Sequence, residues 1–178
     1  TPYLIKSTDK GKTWTSIASD LPKDQSVHTI SQDPVKEDLL FAGTEFGIYT
    51  TVDGGGSWVK LGSGLPDIPV RDIVVQEREN DLVIATLGRG FYIIDDYSPL
   101  RQVTKETFEN EDAILFPVKD ALMYIKTGSG RYGTGSAYYQ AKNHDFGAVF
   151  TYYLKDVPKS LKSERLKKEK ELFKEGSP

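Results

Sequence analysis

The chain has 178 residues and a formal net charge of −3, and 28% of its residues are charged. A nucleic-acid-binding domain carries a basic face, so this mildly acidic balance argues against that class of partner. The chain has no cysteine, which excludes disulfides and thiolate chemistry, and no apolar run of about 18 residues, so we expect no membrane-spanning helix.

An eight-residue pattern near the start of the chain returns 44 residues later: Ser or Thr, any residue, Asp, any residue, Gly, any two residues, Trp. Each copy follows a short predicted strand. We call the two copies the first box and the second box. The first box contains Ser7, Asp9, Gly11 and Trp14, and the second contains Thr51, Asp53, Gly55 and Trp58.

The pattern of a box predicts a turn between two strands that stabilises itself. An Asp can accept hydrogen bonds from backbone N–H groups of its own turn, a hydroxyl can hold a further group, and Gly can adopt a positive φ angle. We expect the rings of Trp14 and Trp58 to enter the core, where truncating a buried Trp costs about 3–5 kcal/mol. These roles are structural and require no substrate.

One complete repeat lies between the boxes and just beyond them. The sequence predicts strands over residues 27–32, 39–43, 47–51 and 58–61, with a turn at 33–38 and the second box between the last two strands. Four strands in about 44 residues match one blade of a β-propeller.

A third copy follows at an offset of 43 without gaps, so that Val27, Ala42 and Tyr49 correspond to Val70, Ala85 and Tyr92. This copy has no box Gly and no Trp after Asp96, and Pro99 cannot donate to a strand ladder. We therefore predict a last blade whose outermost strand comes from another part of a longer chain, which would hide the open sheet edges.

The remainder of the chain departs from the repeat. Residues 112–117 and 121–125 look like linker strands, residues 127–136 like a Gly/Ser-rich loop, and residues 146–155 like a strong strand. Residues 159–174 predict a charged helix, which is marginal alone. The expected organisation is propeller blades over 1–100, a linker and loop over 101–145, and a strand followed by a charged helix over 146–178.

The boxes resemble Asp-boxes, also called bacterial neuraminidase (BNR) repeats, which occur in the β-propellers of sialidases and of the sortilin family. Residues 41–49 and 85–96 are similar to the last blades of bacterial sortilin-like proteins that are often labelled glycosyl hydrolases. The resemblance implies an all-β partial propeller of four-stranded antiparallel blades. It also implies that the segment at 147–155 begins a β-sandwich domain, and that the protein is secreted or held in the cell envelope.

Candidate binding residues gather on one rim of the predicted propeller, at the ends of the blades opposite the boxes. His28 and Arg71 occupy equivalent positions at the start of two strands, and Glu45, Asp72 and Arg89 should lie nearby. Arg can bind a carboxylate through two hydrogen bonds, and Glu or His can transfer protons. The alternative is a rim whose charges are solvated or paired with one another.

Other motifs carry no chemistry of their own. The segment at 128–133 fits GxGxxG but lacks a convincing helix after it, so we expect no cofactor. His144 and Asp145 are too few for a metal site. Asp9 and Asp53 lie a whole blade apart and so should not act on one glycosidic bond.

Two functions remain open from the sequence. The first is a binding or scaffold module outside the cytoplasm whose rim recognises a protein, peptide or glycan. The second is a sialidase- or glucanase-like glycoside hydrolase whose catalytic acids lie mostly outside these residues. In either case we expect the rest of a parent propeller as a partner.

Overall fold

The computed structural model describes residues 1–62, 64–104, 106–121, 123–125, 146–157, 159–174 and 176. The chain forms two compact units, Thr1–Asn110 and Glu111–Pro178. The described residues are mostly β, in several antiparallel sheets, with a charged helix near the C-terminus. The predicted loop at 127–136 lies outside the described residues.

The first unit contains three antiparallel sheets in chain order. The first sheet has two strands, β1 (Ile5–Lys6) and β2 (Thr15–Ser16). The second has four in sequential order: β3 (Val27–Gln32), β4 (Leu40–Thr44), β5 (Gly47–Thr51) and β6 (Val59–Leu61). The third has three: β7 (Val70–Gln76), β8 (Asp81–Thr86) and β9 (Phe91–Ile94). The four-stranded unit predicted over residues 27–61 is confirmed.

The second sheet is covered on both faces, which explains why every residue of β4 and β5 is buried. Successive side chains of a strand point to opposite faces. Leu40 and Ala42 of the sheet therefore join one cluster with Ala18 and Leu21, which follow the first sheet. Leu39 and Phe41 join a second cluster with residues of the third sheet, namely Val70, Ile73, Leu82 and Ile84. The second and third sheets thus pack face to face, and residues that follow the first sheet cover the other face of the second.

Gly43 lies where the second and third sheets approach most closely. A Cβ atom at this position would lie 2.7 Å from Cγ1 of Val70 and 2.7 Å from Cγ2 of Thr29. Real Cβ atoms do not approach carbon atoms this closely, so the absent side chain is what allows β4 and β7 to pack together.

The third sheet corrects the ungapped alignment of the repeats. Ile30 pairs with Ala42 in the second sheet, but its equivalent Ile73 pairs with Ile84 rather than with Ala85. Compared with β4 on β3, the strand β8 is therefore shifted by one residue along β7. This shift places Leu82 and Ile84 in the core. Between equivalent ladder pairs, the turn before β8 has six residues (between Val75 and Leu82) where the turn before β4 has seven (between Gln32 and Leu40). The loop after β8 is one residue longer, so the slip is absorbed outside the strands.

A 3₁₀ helix at Ser98–Arg101 follows the third sheet, and a short helix α1 (Thr107–Asn110) ends the unit. Neither was expected from the sequence. The third sheet has no fourth strand among the described residues, because the chain turns away after β9.

The second unit has a two-stranded antiparallel sheet, β10 (Ala113–Leu115) with β11 (Tyr152–Leu154), and the helix α2 (Leu161–Lys174). The helix agrees with the prediction for residues 159–174. The strands predicted at 121–125 and 146–155 were longer than the strand that forms. Residues 121 and 123–125 are not in a strand, and residues 146–151 are extended or bent outside the strand, although the carbonyl of Thr151 accepts a bond from the N–H of Phe116 at 3.0 Å. Most of their apolar side chains are exposed, so no packing surface fixes them as strands.

Candidate ligand-binding site

One end of the second and third sheets brings two of the candidate residues together. We call this end the rim; it carries the start of β3 and β7 and the turns that join β4 to β5 and β8 to β9. The ladder of the second sheet shifts between Val27 and Thr29, and that of the third sheet shifts between Val70 and Asp72. His28 and Arg71 are the residues that these two irregularities leave out of register. Such bulges redirect a side chain and are common beside binding sites.

The two bulged side chains meet across the gap between the sheets. Nη1 of Arg71 lies 3.4 Å from Nδ1 of His28. A guanidinium group only donates hydrogen bonds, so a bond between these two atoms requires Nδ1 of His28 as the acceptor. Nε2 of His28 is buried and has no hydrogen-bond partner among the described residues. The structure thus places the unpaired Nε2 of His28 beside the exposed guanidinium group of Arg71.

Glu45 lies at the same end but is engaged by the backbone. Its Oε2 accepts a hydrogen bond from the N–H of Ser26 at 3.2 Å, and its own N–H donates to the carbonyl of Ser26 at 3.2 Å. These two bonds hold the β4–β5 turn against the residue that precedes β3. Glu45 therefore supports the rim, and one of its two carboxylate oxygens is already used.

Asp72 and Arg89 lie at the rim without joining the His28–Arg71 pair. Oδ1 of Asp72 accepts a hydrogen bond from the N–H of Ile73 at 2.9 Å. Arg89 is exposed in the β8–β9 loop and forms no ion pair with the residues that the structure describes. The rim thus presents two exposed guanidinium groups, those of Arg71 and Arg89.

Both rim turns are closed by the same hydrogen bond. Oγ1 of Thr44 donates to the carbonyl of Gly47 at 2.9 Å, and Oγ1 of Thr86 donates to that of Gly90 at 2.7 Å. Two residues lie between Thr44 and Gly47, and three lie between Thr86 and Gly90. The additional residue in the second turn compensates the one-residue slip of β8. Arg89 is the last residue of that longer loop. This repeated Thr–Gly pair was not predicted from the sequence.

The two boxes lie at the opposite end of the sheets and their polar groups satisfy one another. In the first box, Asp9 accepts bonds from the N–H and the hydroxyl of Thr13 at 2.8 and 2.7 Å. In the second, Asp53 accepts the equivalent bonds from Ser57 at 2.9 and 2.7 Å. The hydroxyls of Ser7 and Thr51 accept bonds from the N–H groups of Gly11 and Gly55.

These bonds stabilise the charged form of each box carboxylate. Burial alone would raise the pKa of Asp53, but hydrogen bonds from Thr51 and Ser57 hold that pKa at about 2. The backbone and side-chain bonds from Thr13 likewise lower the pKa of Asp9. A carboxylate that remains ionised and saturated with donors is a poor general acid.

The two tryptophans differ, contrary to the expectation that both rings enter the core. Trp58 is 7% exposed, its Nε1 donates to the carbonyl of Ile17 at 2.8 Å, and its N–H donates to Asp20 at 2.9 Å. Trp14 is 58% exposed and its Nε1 donates to Gly11 of its own turn. The ring of Trp58 is covered by residues that follow the first sheet, whereas the described residues place no such cover over Trp14.

Gly55 shows how tightly the second box meets the residues after the first sheet. Its φ is +98°, and a Cβ atom there would lie 2.6 Å from Cβ of Ile17. The positive φ angle and the packing against Ile17 therefore both require Gly at this position.

The most buried charge of the first unit was not among the candidates. Asp33, 2% exposed, accepts hydrogen bonds from Arg101 Nη2 at 2.7 Å and from the hydroxyl of Tyr97 at 2.5 Å. The N–H groups of Val35 and Lys36 donate to its second oxygen. Together Asp33, Tyr97 and Arg101 form what we call the aspartate clamp, which attaches the segment after β9 to the β3–β4 turn.

The aspartate clamp shifts the pKa of each of its three side chains. Burial would raise the pKa of Asp33, but the bonds from Arg101 and Tyr97 lower it to about 2. Burial and the bond to Asp33 raise the pKa of Tyr97, and the bond to Asp33 raises the pKa of Arg101. The Asp-Pro turn at Asp33 is visible in the sequence, but its partner Arg101 lies 68 residues away. No local signal reveals that pairing.

Comparison with protein-family models, curated proteins and solved structures found no match to this chain. No helix in the part of the chain that the structure describes has both the length and the apolar character needed to cross a membrane. The residues of the rim are therefore the observations that bear on its ligand.

Proposed function

We propose that the first unit is part of a ligand-binding module of the BNR-repeat β-propeller type, and that the rim recognises a protein, peptide or glycan bearing a carboxylate. The observation that carries this proposal is the pair of bulges that brings His28 and Arg71 together between neighbouring sheets. A bulge weakens a ladder locally, and two at equivalent positions are features that a purely structural sheet does not need.

The two exposed guanidinium groups of the rim favour an anionic ligand, and the two carboxylates of the rim, Glu45 and Asp72, each accept a backbone hydrogen bond. Arg71 uses one nitrogen on His28, and its remaining donors face no acidic partner among the described residues. Arg89 extends from the neighbouring loop at the same end. A guanidinium group binds a carboxylate through two parallel hydrogen bonds, so these side chains suit a terminal carboxylate, a uronic acid or a sialic acid.

The propeller assignment has separate support. Three antiparallel sheets follow one another in sequence, the second and third are packed on each other, and the middle sheet has the four sequential strands of a blade. The boxes turn the chain at the end opposite the rim. We propose that further blades of the same kind continue the stack, and that such a module works in a secreted or cell-envelope protein.

A glycoside hydrolase gains no specific support. The carboxylates of Asp9 and Asp53 are saturated by donors of their own turns, and Glu45 is held by Ser26. Because these three carboxylates serve the backbone in this way, binding is the function that the geometry favours.

The test compares two arginines at opposite ends of the third sheet. Arg71→Gln removes a rim charge, whereas Arg78→Gln removes a charge from the β7–β8 turn, where Arg78 is 81% exposed. Both proteins would be applied to an array of uronic- and sialic-acid glycans and to a peptide library with free or amidated C-termini.

We expect wild type and Arg78→Gln to retain the same carboxylate-bearing probe and Arg71→Gln to lose about tenfold or more in affinity, since a charged hydrogen bond is worth about 1.5–3 kcal/mol. Equal binding by the two variants, or equal binding of free and amidated peptides with no glycan retained, would contradict the proposal.

A further inference from the structure

A chain of buried polar side chains lies beneath the β4–β5 turn of the second sheet. Gln25, just before β3, is 2% exposed, and Thr44 and Tyr49 are also buried. Oε1 of Gln25 lies 2.9 Å from Oγ1 of Thr44, and Nε2 of Gln25 lies 3.1 Å from the hydroxyl oxygen of Tyr49. Both ends of this buried amide are thus paired, as buried polar groups in folded proteins usually are.

The number of protons sets the direction of these hydrogen bonds. The hydroxyl of Thr44 has a single proton, which closes the turn on the carbonyl of Gly47 at 2.9 Å. Thr44 can therefore accept a bond from Gln25 but cannot donate a second one. A half-turn about the Cγ–Cδ bond of Gln25 exchanges its oxygen and nitrogen. The amide NH₂ then donates to Thr44, and the amide oxygen accepts from the hydroxyl of Tyr49. We call these three side chains the Gln25 relay.

The backbone next to Gln25 leads directly to the rim. Ser26 donates its N–H to Oε2 of Glu45 and accepts a bond from the N–H of Glu45, both at 3.2 Å. His28, which the bulge leaves out of register, lies within the same short stretch. The Gln25 relay and the backbone of Ser26 therefore attach the start of β3 to one turn, and His28 follows that attachment.

The third sheet closes the equivalent turn without such a relay. The offset of 43 places Ile68 where the second sheet has Gln25, and an Ile side chain has no polar atom. The hydroxyl of Thr86 nevertheless donates to the carbonyl of Gly90 at 2.7 Å. A Thr–Gly bond therefore forms at a rim turn whether or not an amide lies beneath it. Turn closure does not account for Gln25, which lies in the sheet that carries His28.

We propose that Gln25 is a positioning residue of the rim. Its relay fixes the start of β3, so that the ring of His28 stays where Nη1 of Arg71 reaches it at 3.4 Å. The Gln25 side chain bonds to Thr44 and Tyr49 rather than to the rim pair, so it acts through the backbone of β3. The consequence for binding rests on the proposed function of the rim, whereas the effect on the contact between His28 and Arg71 needs no ligand.

NMR of the full 178-residue chain measures this effect without a ligand. The nitrogen signals of the His28 ring report its contact with Arg71, and Arg71→Gln gives the shift expected when the contact is lost. We expect Gln25→Leu, which keeps a side chain of similar size at the buried position, to shift these signals in the same direction. Hydrogen exchange at the amide of Glu45 should also become about tenfold or more faster.

A milder pair of variants gives a matched comparison if Gln25→Leu does not fold. Tyr49→Phe removes only the hydroxyl that donates to Gln25. Tyr92→Phe makes the same change at the equivalent position of the third sheet, where the hydroxyl of Tyr92 has no hydrogen bond with the described residues. We expect Tyr49→Phe to move the His28 signals in the direction of Gln25→Leu, and Tyr92→Phe to leave them at the wild-type position.

Gln25→Glu is a conservative variant whose chemistry changes with pH. Its neutral carboxyl group can donate to Thr44 and accept from Tyr49, as the amide does, whereas the carboxylate can only accept. Because burial favours the neutral form, we expect His28 signals like those of wild type at about pH 5 and like those of Gln25→Leu at about pH 9, each compared at the same pH. A side chain that only fills space would show no such rescue.

Titration with sodium glucuronate, followed by the amide shifts of the rim, measures the consequence for binding. We expect the affinity of Gln25→Leu and Tyr49→Phe to fall about threefold or more, and that of Tyr92→Phe to equal wild type. No binding by wild type would contradict the proposed ligand class, and the His28 signals would still decide the role of Gln25. Unchanged His28 signals in both Gln25→Leu and Tyr49→Phe, equal effects of Tyr49→Phe and Tyr92→Phe, or wild-type affinity in both relay variants would overturn the proposal.

Discussion

The aspartate clamp predicts a large and pH-dependent contribution to the stability of the first unit. The change to make is Asp33→Asn, because it keeps the shape of the side chain and removes only its charge. The Asp33 side chain is fully buried and Arg101 is only 17% exposed, so the variant leaves a cation with little access to water. Breaking one partner of a buried pair costs about 3–5 kcal/mol, and we expect a loss at the lower end because Asn can still accept hydrogen bonds.

The pH dependence isolates the ionisation of Asp33. Its pKa is about 2 in the folded chain against a reference of 3.8, so the stabilisation is fully present above about pH 4 and is lost as pH falls toward 2. A shift of this size corresponds to about 2 kcal/mol at pH 7 and about 1 kcal/mol at pH 3. The difference between wild type and Asp33→Asn should therefore shrink by about 1 kcal/mol over that range.

Urea unfolding at pH 7 and pH 3, followed by tryptophan fluorescence, measures the loss of stability in Asp33→Asn and the change of that loss with pH. Both tryptophans of the chain, Trp14 and Trp58, lie in the first unit, so the signal reports on it alone. The control is Asp24→Asn, the same chemical change at an exposed carboxylate, which should stay within about 0.5 kcal/mol of wild type. Equal stability of the two variants, or a difference from wild type that does not change with pH, would refute the reasoning.

The packing of the sheets gives two further predictions, both measured by the same unfolding experiment. Trp58→Ala should destabilise the first unit by about 3–5 kcal/mol, since the ring is buried and bonded to Ile17, whereas the exposed Trp14→Ala should cost less than about 1 kcal/mol. Similar losses for both would show that the rings do not differ in burial. Gly43→Ala should cost about 1–3 kcal/mol by forcing β4 from β7, whereas Gly62→Ala, with no atom within 4 Å of its Cβ position, should be nearly neutral. A neutral Gly43→Ala would exclude the close approach.

The features that the sequence revealed are those that depend on neighbouring residues. The strands β3 to β6 follow from alternating or continuous apolar residues between turn residues, and each was expected within one or two residues of its observed bounds. The helix α2 follows in the same way from a run of good helix formers. Of the rim candidates, His28 and Arg71 could be paired because the repeat itself placed them at equivalent positions.

The features that the sequence did not reveal depend on contacts between distant segments. An ungapped repeat gave no sign that β8 slips by one residue, because the slip is compensated within the next loop and improves packing against the second sheet. The strand expected at 146–155 forms only over Tyr152–Leu154, where β10 pairs with it, and the described residues of 121–125 form none, because apolar composition alone does not form a strand without a partner to pair with.

The sequence by itself determined the repeat, the self-satisfying turns and the order of strands, since hydrogen bonds between residues four apart act wherever the chain is placed. Only the tertiary structure decided which tryptophan is covered, where the charge of Asp33 finds its cation, and which strand keeps an open edge. Two boxes with the same pattern place one ring inside and the other outside, because burial depends on the neighbouring sheet rather than on the turn that carries the ring.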